Sequence, residues 1–171
     1  MMMTLADVRK FAPHNSNESY SPEESEASWE LVNLDRTDRA ERIERFIADQ
    51  IERRSGYKAT ATQQNWPWDI TVDLEDKSVR IEVKSSLRHK GNEQTYSLQN
   101  IKSHLFDYIF MVLITPKGTR FGWAYSKDIR NMCRYLTEGV SGYSININLR
   151  KWDRGEYDNW LHDIDDFPYG S

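Results

Sequence analysis

The sequence predicts an α/β fold in which a mixed β-sheet is flanked by helices, because its hydrophobic period changes along the chain. Apolar residues recur at helical spacing in “DRAERIERFIADQIERR” (38–54), and Gly56 is the predicted end of this helix. Alternation follows in “YKATATQ”, “DITVDLE” and “SVRIEVKSS”, which is typical of strands. The run “YIFMVLI” (108–114) is continuously apolar and indicates a strand buried on both faces.

The later elements are predicted from their patterns and turn residues. The segment “SLQNIKSHL” (97–105) is predicted as a short helix capped by Ser97. Strands are predicted over 119–126 and 142–150, an amphipathic helix over 126–139 and a short helix over 158–167. The predicted element order is therefore α, β, β, β, α, β, β, α, β.

Two regions are expected along the 171-residue chain. Residues 1–36 form an N-terminal extension that is polar over 12–20 and contains one helix starting at Ser21, and residues 37–171 form the domain with a C-terminal extension. No apolar run approaches the roughly 18 residues that a membrane span needs. The single cysteine, Cys133, excludes an internal disulfide. With no secretory signal predicted, we expect a cytoplasmic protein.

Strands 69–75 and 78–86 are predicted to form a hairpin with a tight turn at Asp76–Lys77. In this register Asp69 faces Lys84. Because side chains alternate along a strand, one face of the hairpin is apolar and belongs to the core. The opposite face carries the polar set Asp69, Thr71, Asp73, Arg80, Glu82 and Lys84.

This polar face has the composition of a metal-dependent hydrolytic site. Asp69 and Glu82 lie diagonally, with Cα atoms roughly 7–8 Å apart. Two carboxylates at that distance can share a hard divalent cation through oxygen ligands. Lys84 would point its ammonium at an attacking water or a phosphate oxygen. These are the groups that cleavage of a phosphodiester bond requires.

An ion-paired surface would produce a similar pattern. Facing opposite charges on an exposed sheet contribute only ~0.2–1 kcal/mol and occur freely. Asp73, opposite Arg80 in the predicted register, is interpreted as such a structural pair. The hairpin alone leaves the catalytic and structural interpretations open.

The preceding helix offers a further acid. Glu44 lies three and four residues before Ile47 and Ala48, so it sits at the edge of the core-facing stripe. A glutamate at such an edge is costly unless it has a partner, and a metal would serve. Glu41, one turn earlier on a related face, is the alternative helix carboxylate.

With these residues, the chain resembles the PD-(D/E)XK nuclease superfamily, the fold of many restriction enzymes, junction resolvases and some homing endonucleases. The segment “PWD” (67–69) matches the first half-motif, with an additional Trp68 between the proline and the aspartate. The segment “EVK” (82–84) matches the second. The restriction-endonuclease-like core of the family, αβββαβ, is similar to residues 37–115.

The resemblance implies an endonuclease that hydrolyses phosphodiester bonds of double-stranded DNA with Mg²⁺, for which Mn²⁺ can substitute. It implies that Asp69 and Glu82 ligate the metal, that Lys84 assists the nucleophile and that Glu44 completes the acidic cluster. Gln99 resembles the glutamine that some members carry on the helix after the second half-motif.

Candidate DNA contacts follow the second half-motif: Ser85, Ser86, Arg88, His89 and Lys90. The net charge of −4 is not typical of a nucleic-acid-binding protein, but the basic residues are clustered and leave room for a basic face. Small size and the need to cut two strands predict a homodimer. The alternative function is a catalytically inactive nuclease-fold protein that binds DNA or another protein.

Overall fold

The protein is described here by a computed structural model that covers residues 31, 34–61, 66–87, 95–102, 105–115, 118–131, 137–139 and 142–168. Residues 21–30 of the helix predicted from Ser21, the polar segment 12–20, the basic residues 88–90 and Cys133 lie outside the described residues. None of the described helices is long and apolar enough to cross a membrane.

Helix α1 (Arg36–Ser55) confirms the helix predicted over 38–54. Asp35 is its N-cap, and the carboxylate accepts a hydrogen bond from the Asp38 N–H at 2.9 Å. At the other end, Gly56 adopts φ 75°, a left-handed conformation that glycine takes without a Cβ clash. The buried stripe of the helix consists of Ile43, Glu44, Phe46, Ile47, Ala48 and Ile51.

The strands form two sheets. In chain order they are β1 (Lys58–Ala61), β2 (Ile70–Asp73), β3 (Ser78–Leu87), β4 (Thr95–Ile101), β5 (Tyr108–Thr115), β6 (Gly118–Tyr125), β7 (Thr137–Gly139), β8 (Gly142–Asn148) and β9 (His162–Asp163). The larger sheet has the order β1–β2–β3–β5–β6–β9, and the smaller has the order β4–β8–β7. In the larger sheet β3 and β5 are parallel, whereas the other neighbours are antiparallel. The predicted mixed sheet with flanking helices is therefore present.

Strand β5 lies within the larger sheet and is buried on both faces, as its apolar run predicts. Phe110, Val112 and Ile114 join the core under α1, which also contains the predicted apolar hairpin face. Ile109, Met111 and Leu113 point to the opposite face and join a second core with the smaller sheet. The larger sheet is thus covered on both sides.

The predicted helix at 97–105 is wrong, because residues 95–101 form strand β4. Tyr96 and Leu98 are buried by alternation, but Ile101 is buried three residues after Leu98, a spacing that also fits a helix. The pairing with β8 shifts by one residue between Leu98 and Ile101, where Asn100 adopts φ 60°. This bulge adds a residue to the strand and returns Ile101 to the buried face.

The C-terminal half differs from the prediction in three places. Helix α2 (Ser126–Asn131) lies at the start of the predicted helix 126–139, and residues 137–139 at its predicted end form strand β7. Helix α3 (Leu149–Asp153) begins inside the predicted strand 142–150, because the Asn148 side chain accepts a hydrogen bond from the Lys151 N–H and caps it.

Residues 158–167 do not form the predicted short helix but a turn, strand β9 and a 3₁₀ helix (Ile164–Asp166). Trp160 and Leu161 enter the core beside the smaller sheet, whereas Ile164 and Phe167 enter the core under α1. One short helix could not reach both sides of the larger sheet. The aromatic residues of this region therefore complete the two cores.

The β2–β3 hairpin has a register different from the predicted one. Thr71 pairs with Arg80 and Asp73 with Ser78, and the Leu74 N–H donates to the Lys77 carbonyl at 2.9 Å across the turn. The turn residues are therefore 75–76. This register differs from the prediction by two residues, which preserves the side-chain faces because the period of a strand is two.

Candidate active site

A cavity of about 260 Å³ lies beside the start of β2, between the first half of α1 and strand β3. Ten residues line it: Arg36, Arg39, Ala40, Glu44, Asp69, Glu82, Val83, Lys84, Ser85 and Leu87. The structure thus brings together Asp69, Glu82, Lys84 and Glu44, the four residues predicted from the two half-motifs and the helix.

Asp69 is held at the start of β2 by hydrogen bonds to β3. Its N–H donates to the Ile81 carbonyl at 2.9 Å, and its Oδ2 accepts from the Val83 N–H at 2.7 Å. The preceding Trp68 is anchored by a hydrogen bond of 2.8 Å from Nε1 to the Thr71 hydroxyl. The carboxylate of Asp69 is therefore fixed beside the backbone segment that joins Glu82 to the next residues of β3.

Lys84 pairs with Glu82 instead of facing Asp69 as predicted. The Lys84 Nζ lies 2.8 Å from Glu82 Oε1, and the two side chains are only 23% and 12% exposed. They are two residues apart on β3 and share one face. The register shift explains the difference, because Asp69 now precedes the Ile70–Ile81 pair and lies level with Glu82.

The structure also distinguishes the two helix acids. Glu44 is 7% exposed, lines the cavity and forms a side-chain hydrogen bond with Asp69. Glu41 is exposed, and its Oε2 lies 3.9 Å from Nη2 of Arg45, one turn along the helix. Such an exposed i, i+4 pair contributes little stability. The carboxylate at the cavity is that of Glu44.

Burial in the cavity disfavours the charged forms of two of its acids. Burial raises the pKa of the Asp69 carboxyl, although the Val83 N–H and Lys84 act in the opposite direction. Burial also raises the pKa of Glu82, and the nearby Asp69 carboxylate raises it further. Two acids that each resist ionisation in the same cavity would be stabilised in their charged forms by a bound cation.

The donor set suits a hard cation such as Mg²⁺, since Asp69, Glu82 and Glu44 offer carboxylate oxygens. However, no three His, Cys, Asp or Glu side chains among the described residues are already arranged as a metal site. One oxygen of Glu82 lies 2.8 Å from the Lys84 ammonium. The three carboxylates therefore fit Mg²⁺ in the type of their donor atoms and because they line one cavity.

The other predicted site residues differ in their position relative to the cavity. Gln99 is exposed on β4 and does not line the cavity, so its predicted position on a helix is wrong. Ser85 lines the cavity, and the Ser86 hydroxyl donates to the Leu87 carbonyl at 3.1 Å. Arg88, His89 and Lys90 lie outside the described residues.

The predicted Asp73–Arg80 pair does not form. Arg80 instead donates from Nε and an Nη to the Asp107 carboxylate at 3.3 and 3.2 Å. Asp73 accepts a hydrogen bond of 3.0 Å from the Ser78 hydroxyl. Sequence alone gives no signal for Asp107, because it lies 27 residues from Arg80.

Arg36 and Arg39 line the cavity but were not predicted as site residues. Their spacing from Glu44 gives only a weak signal in the sequence. They precede Glu44 by eight and five residues, whereas neighbouring side chains on a helix surface are three or four residues apart. Only the position of the helix start against β3 brings them to the carboxylates.

No protein-family model matches the chain, and no curated protein matches it. Among solved structures, a bacterial homing endonuclease, I-Ssp6803I, is similar with a TM-score of 0.47 and 15% sequence identity. The similarity covers 67% of this chain and 77% of that chain. A likeness this low does not bear on the activity of this chain.

Proposed function

We propose that this protein is a nuclease of the PD-(D/E)XK type, which hydrolyses phosphodiester bonds of double-stranded DNA with Mg²⁺. The observation that carries the proposal is the shared cavity of Asp69, Glu82, Lys84 and Glu44. These residues come from α1, the start of β2 and the middle of β3. Their convergence supports catalysis over the interpretation as an ion-paired surface, since such a surface needs no buried carboxylates.

The three carboxylates have separate roles in this proposal. Asp69 and Glu82 would hold the metal, and Glu44 would complete its acidic surroundings from the helix side. Bound Mg²⁺ would stabilise developing charge and lower the pKa of water. The hydrogen bond from the Val83 N–H fixes one oxygen of Asp69 and so orients the carboxylate before any ligand arrives.

Lys84 would exchange one partner for another. Without a metal, its ammonium offsets the charge of the poorly solvated Glu82 at 2.8 Å. With Glu82 as a ligand of a cation, the Lys84 ammonium would be available to a phosphate oxygen or to the attacking water. A lysine suits this exchange because it carries a compact charge on a flexible stem.

A homodimer is the proposed functional unit, because one active site cannot cut both strands from one position. Light scattering of the free protein and of its complex with duplex DNA tests this assembly. A monomer under both conditions would contradict it.

Cleavage itself is tested with supercoiled plasmid and labelled duplex oligonucleotides. We expect nicking or linearisation with Mg²⁺ or Mn²⁺ and none with EDTA. The matched variant Glu82→Gln, which keeps the side-chain shape, should be inactive. Intact DNA across both metal titrations would refute the proposed nuclease activity. DNA binding without cleavage would instead support the alternative, a catalytically inactive DNA-binding protein.

A further inference from the structure

Two arginines complete the lining of the carboxylate cavity on its helix side. Arg36 is the first residue of α1, and Arg39 lies one turn further along. Both line the same cavity as Glu44, Asp69 and Glu82. The small side chain of Ala40 lies between this pair and Glu44 and also lines the cavity.

The position of the arginines is unfavourable for helix stability. The N-terminal turn of a helix carries the positive end of the helix dipole, which favours acids and disfavours bases. Arg36 is exposed and forms no ion pair with any described residue. Arg39 donates a long hydrogen bond of 3.4 Å to the Leu34 carbonyl. The charge of Arg39 also interacts with the Asp35 carboxylate, so local stability accounts for part of the Arg39 position but not for the exposed Arg36 guanidinium.

We propose that Arg36 and Arg39 form a phosphate-binding subsite for the backbone of the cleaved strand, next to the scissile phosphate. This inference rests on the proposed nuclease function and adds the group that positions the polyanion. The carboxylates and Lys84 act at the reacting phosphate, whereas the arginines hold a neighbouring phosphate of the same strand.

The chemistry of arginine fits this task. Its planar guanidinium stays charged and donates two parallel hydrogen bonds to a phosphate. A strand entering the cavity would thus meet cations before it meets the carboxylates, which would otherwise repel it.

A structural role for the arginines predicts a different behaviour. If they only offset the charge of the cavity carboxylates, their loss would change the melting temperature and leave the salt dependence of DNA binding unchanged. Each lost phosphate contact to duplex DNA should instead reduce the slope of log K against log salt by about 0.9. The salt slope therefore separates the two roles.

The experiment measures binding of a fluorescent duplex by anisotropy in EDTA at several salt concentrations, and cleavage kinetics in Mg²⁺. For the double variant Arg36→Gln/Arg39→Gln, we expect a slope reduced by about 2, a raised KM and a kcat within about threefold of wild type at saturating DNA. Arg36→Gln alone, at an exposed position, should reduce the slope by about 1 and keeps the test valid if the double variant does not fold.

Arg45→Gln is the matched control, because Arg45 lies on the same helix, is exposed and pairs with Glu41 outside the cavity. Its slope and KM should match wild type. If wild type binds and cleaves DNA while the Arg36 variants keep the wild-type slope and KM, the subsite is refuted and the nuclease function stands. If wild type neither binds nor cleaves DNA, the phosphate subsite and the nuclease function are both refuted.

Discussion

The Val83 N–H donates a hydrogen bond of 2.7 Å to Asp69 Oδ2, which joins the start of β2 to the middle of β3. Val83 stands between Glu82 and Lys84, so this one contact places Asp69 beside both charged residues of the second half-motif. A carboxylate that accepts a backbone N–H is fixed in orientation before a ligand binds. The candidate site is thus partly organised by backbone geometry.

Asp69→Asn is expected to abolish cleavage, whereas Asp73→Asn should leave most of it. Loss of a ligand charge should remove several kcal/mol of transition-state stabilisation, about a hundredfold or more in rate. Asp73 is exposed and only accepts a hydrogen bond from Ser78. Both variants are compared at fixed Mg²⁺, with melting curves as the folding control. An active Asp69→Asn would remove this residue from the site.

Glu44→Gln should reduce cleavage by about 10–100-fold, the range found for groups that orient metal ligands. Glu44 is buried and hydrogen-bonded to Asp69, and glutamine preserves its size. Glu41→Gln is the matched control, since Glu41 is exposed and pairs with Arg45 on the same helix. Single-turnover rates compare the two. Cleavage rates equal to that of wild type in both variants would show that the helix contributes no carboxylate to the site.

Mg²⁺ should raise the melting temperature of wild type by about 5–10 °C at about 100 times its Kd, because a ligand that binds only the folded state stabilises it. Glu82→Gln should lose most of this shift, since the variant lacks a ligand charge. The comparison uses thermal melts in EDTA and across a Mg²⁺ series. A full shift in Glu82→Gln would place the metal elsewhere.

Asp107 should make folding stability depend on pH in the acid range. Partial burial alone would raise the pKa of this carboxyl, but the hydrogen bonds and charge of Arg80 outweigh it and hold the pKa below its usual 3.8. The unfolded state therefore binds more protons, so this stabilisation is complete above pH 3.8 and is lost as pH falls through the lowered pKa.

Asp107→Asn tests this dependence in denaturant melts from pH 2 to pH 6. The variant should be less stable than wild type at pH 6, and the difference should shrink as the pH falls. Asp73→Asn is the matched control, because the wild-type Asp73 carboxylate accepts a hydrogen bond from the Ser78 hydroxyl. A difference between Asp107→Asn and wild type that stays constant with pH would show that the charge of Asp107 is not involved.

Periodicity in the sequence was sufficient for the elements that bury one clear stripe or face. Helix α1 and strands β1, β2, β3, β6 and β8 lie where alternation or helical spacing predicts them, and β5 lies where its continuous apolar run predicts a strand buried on both faces. The segment 97–105 was not predictable in this way, because Leu98 and Ile101 have helical spacing. Pairing with β8 and the bulge at Asn100 decide the strand.

The register of the hairpin shows a second limit of sequence patterns. Registers that differ by two residues bury the same side chains, so the apolar pattern cannot choose between them. The turn at 75–76 and the hydrogen bonds of Asp69 to Ile81 and Val83 select the observed one. Lys84 consequently pairs with Glu82.

The sequence by itself determined which residues share the polar face of the hairpin and which helix supplies the nearby acids, since both follow from local periods. Only the tertiary structure decided between Glu44 and Glu41, brought Arg36 and Arg39 to the cavity and paired Arg80 with Asp107. The physical reason is that these contacts join residues distant in sequence or depend on helix rotation against the sheet, and packing of whole elements sets both.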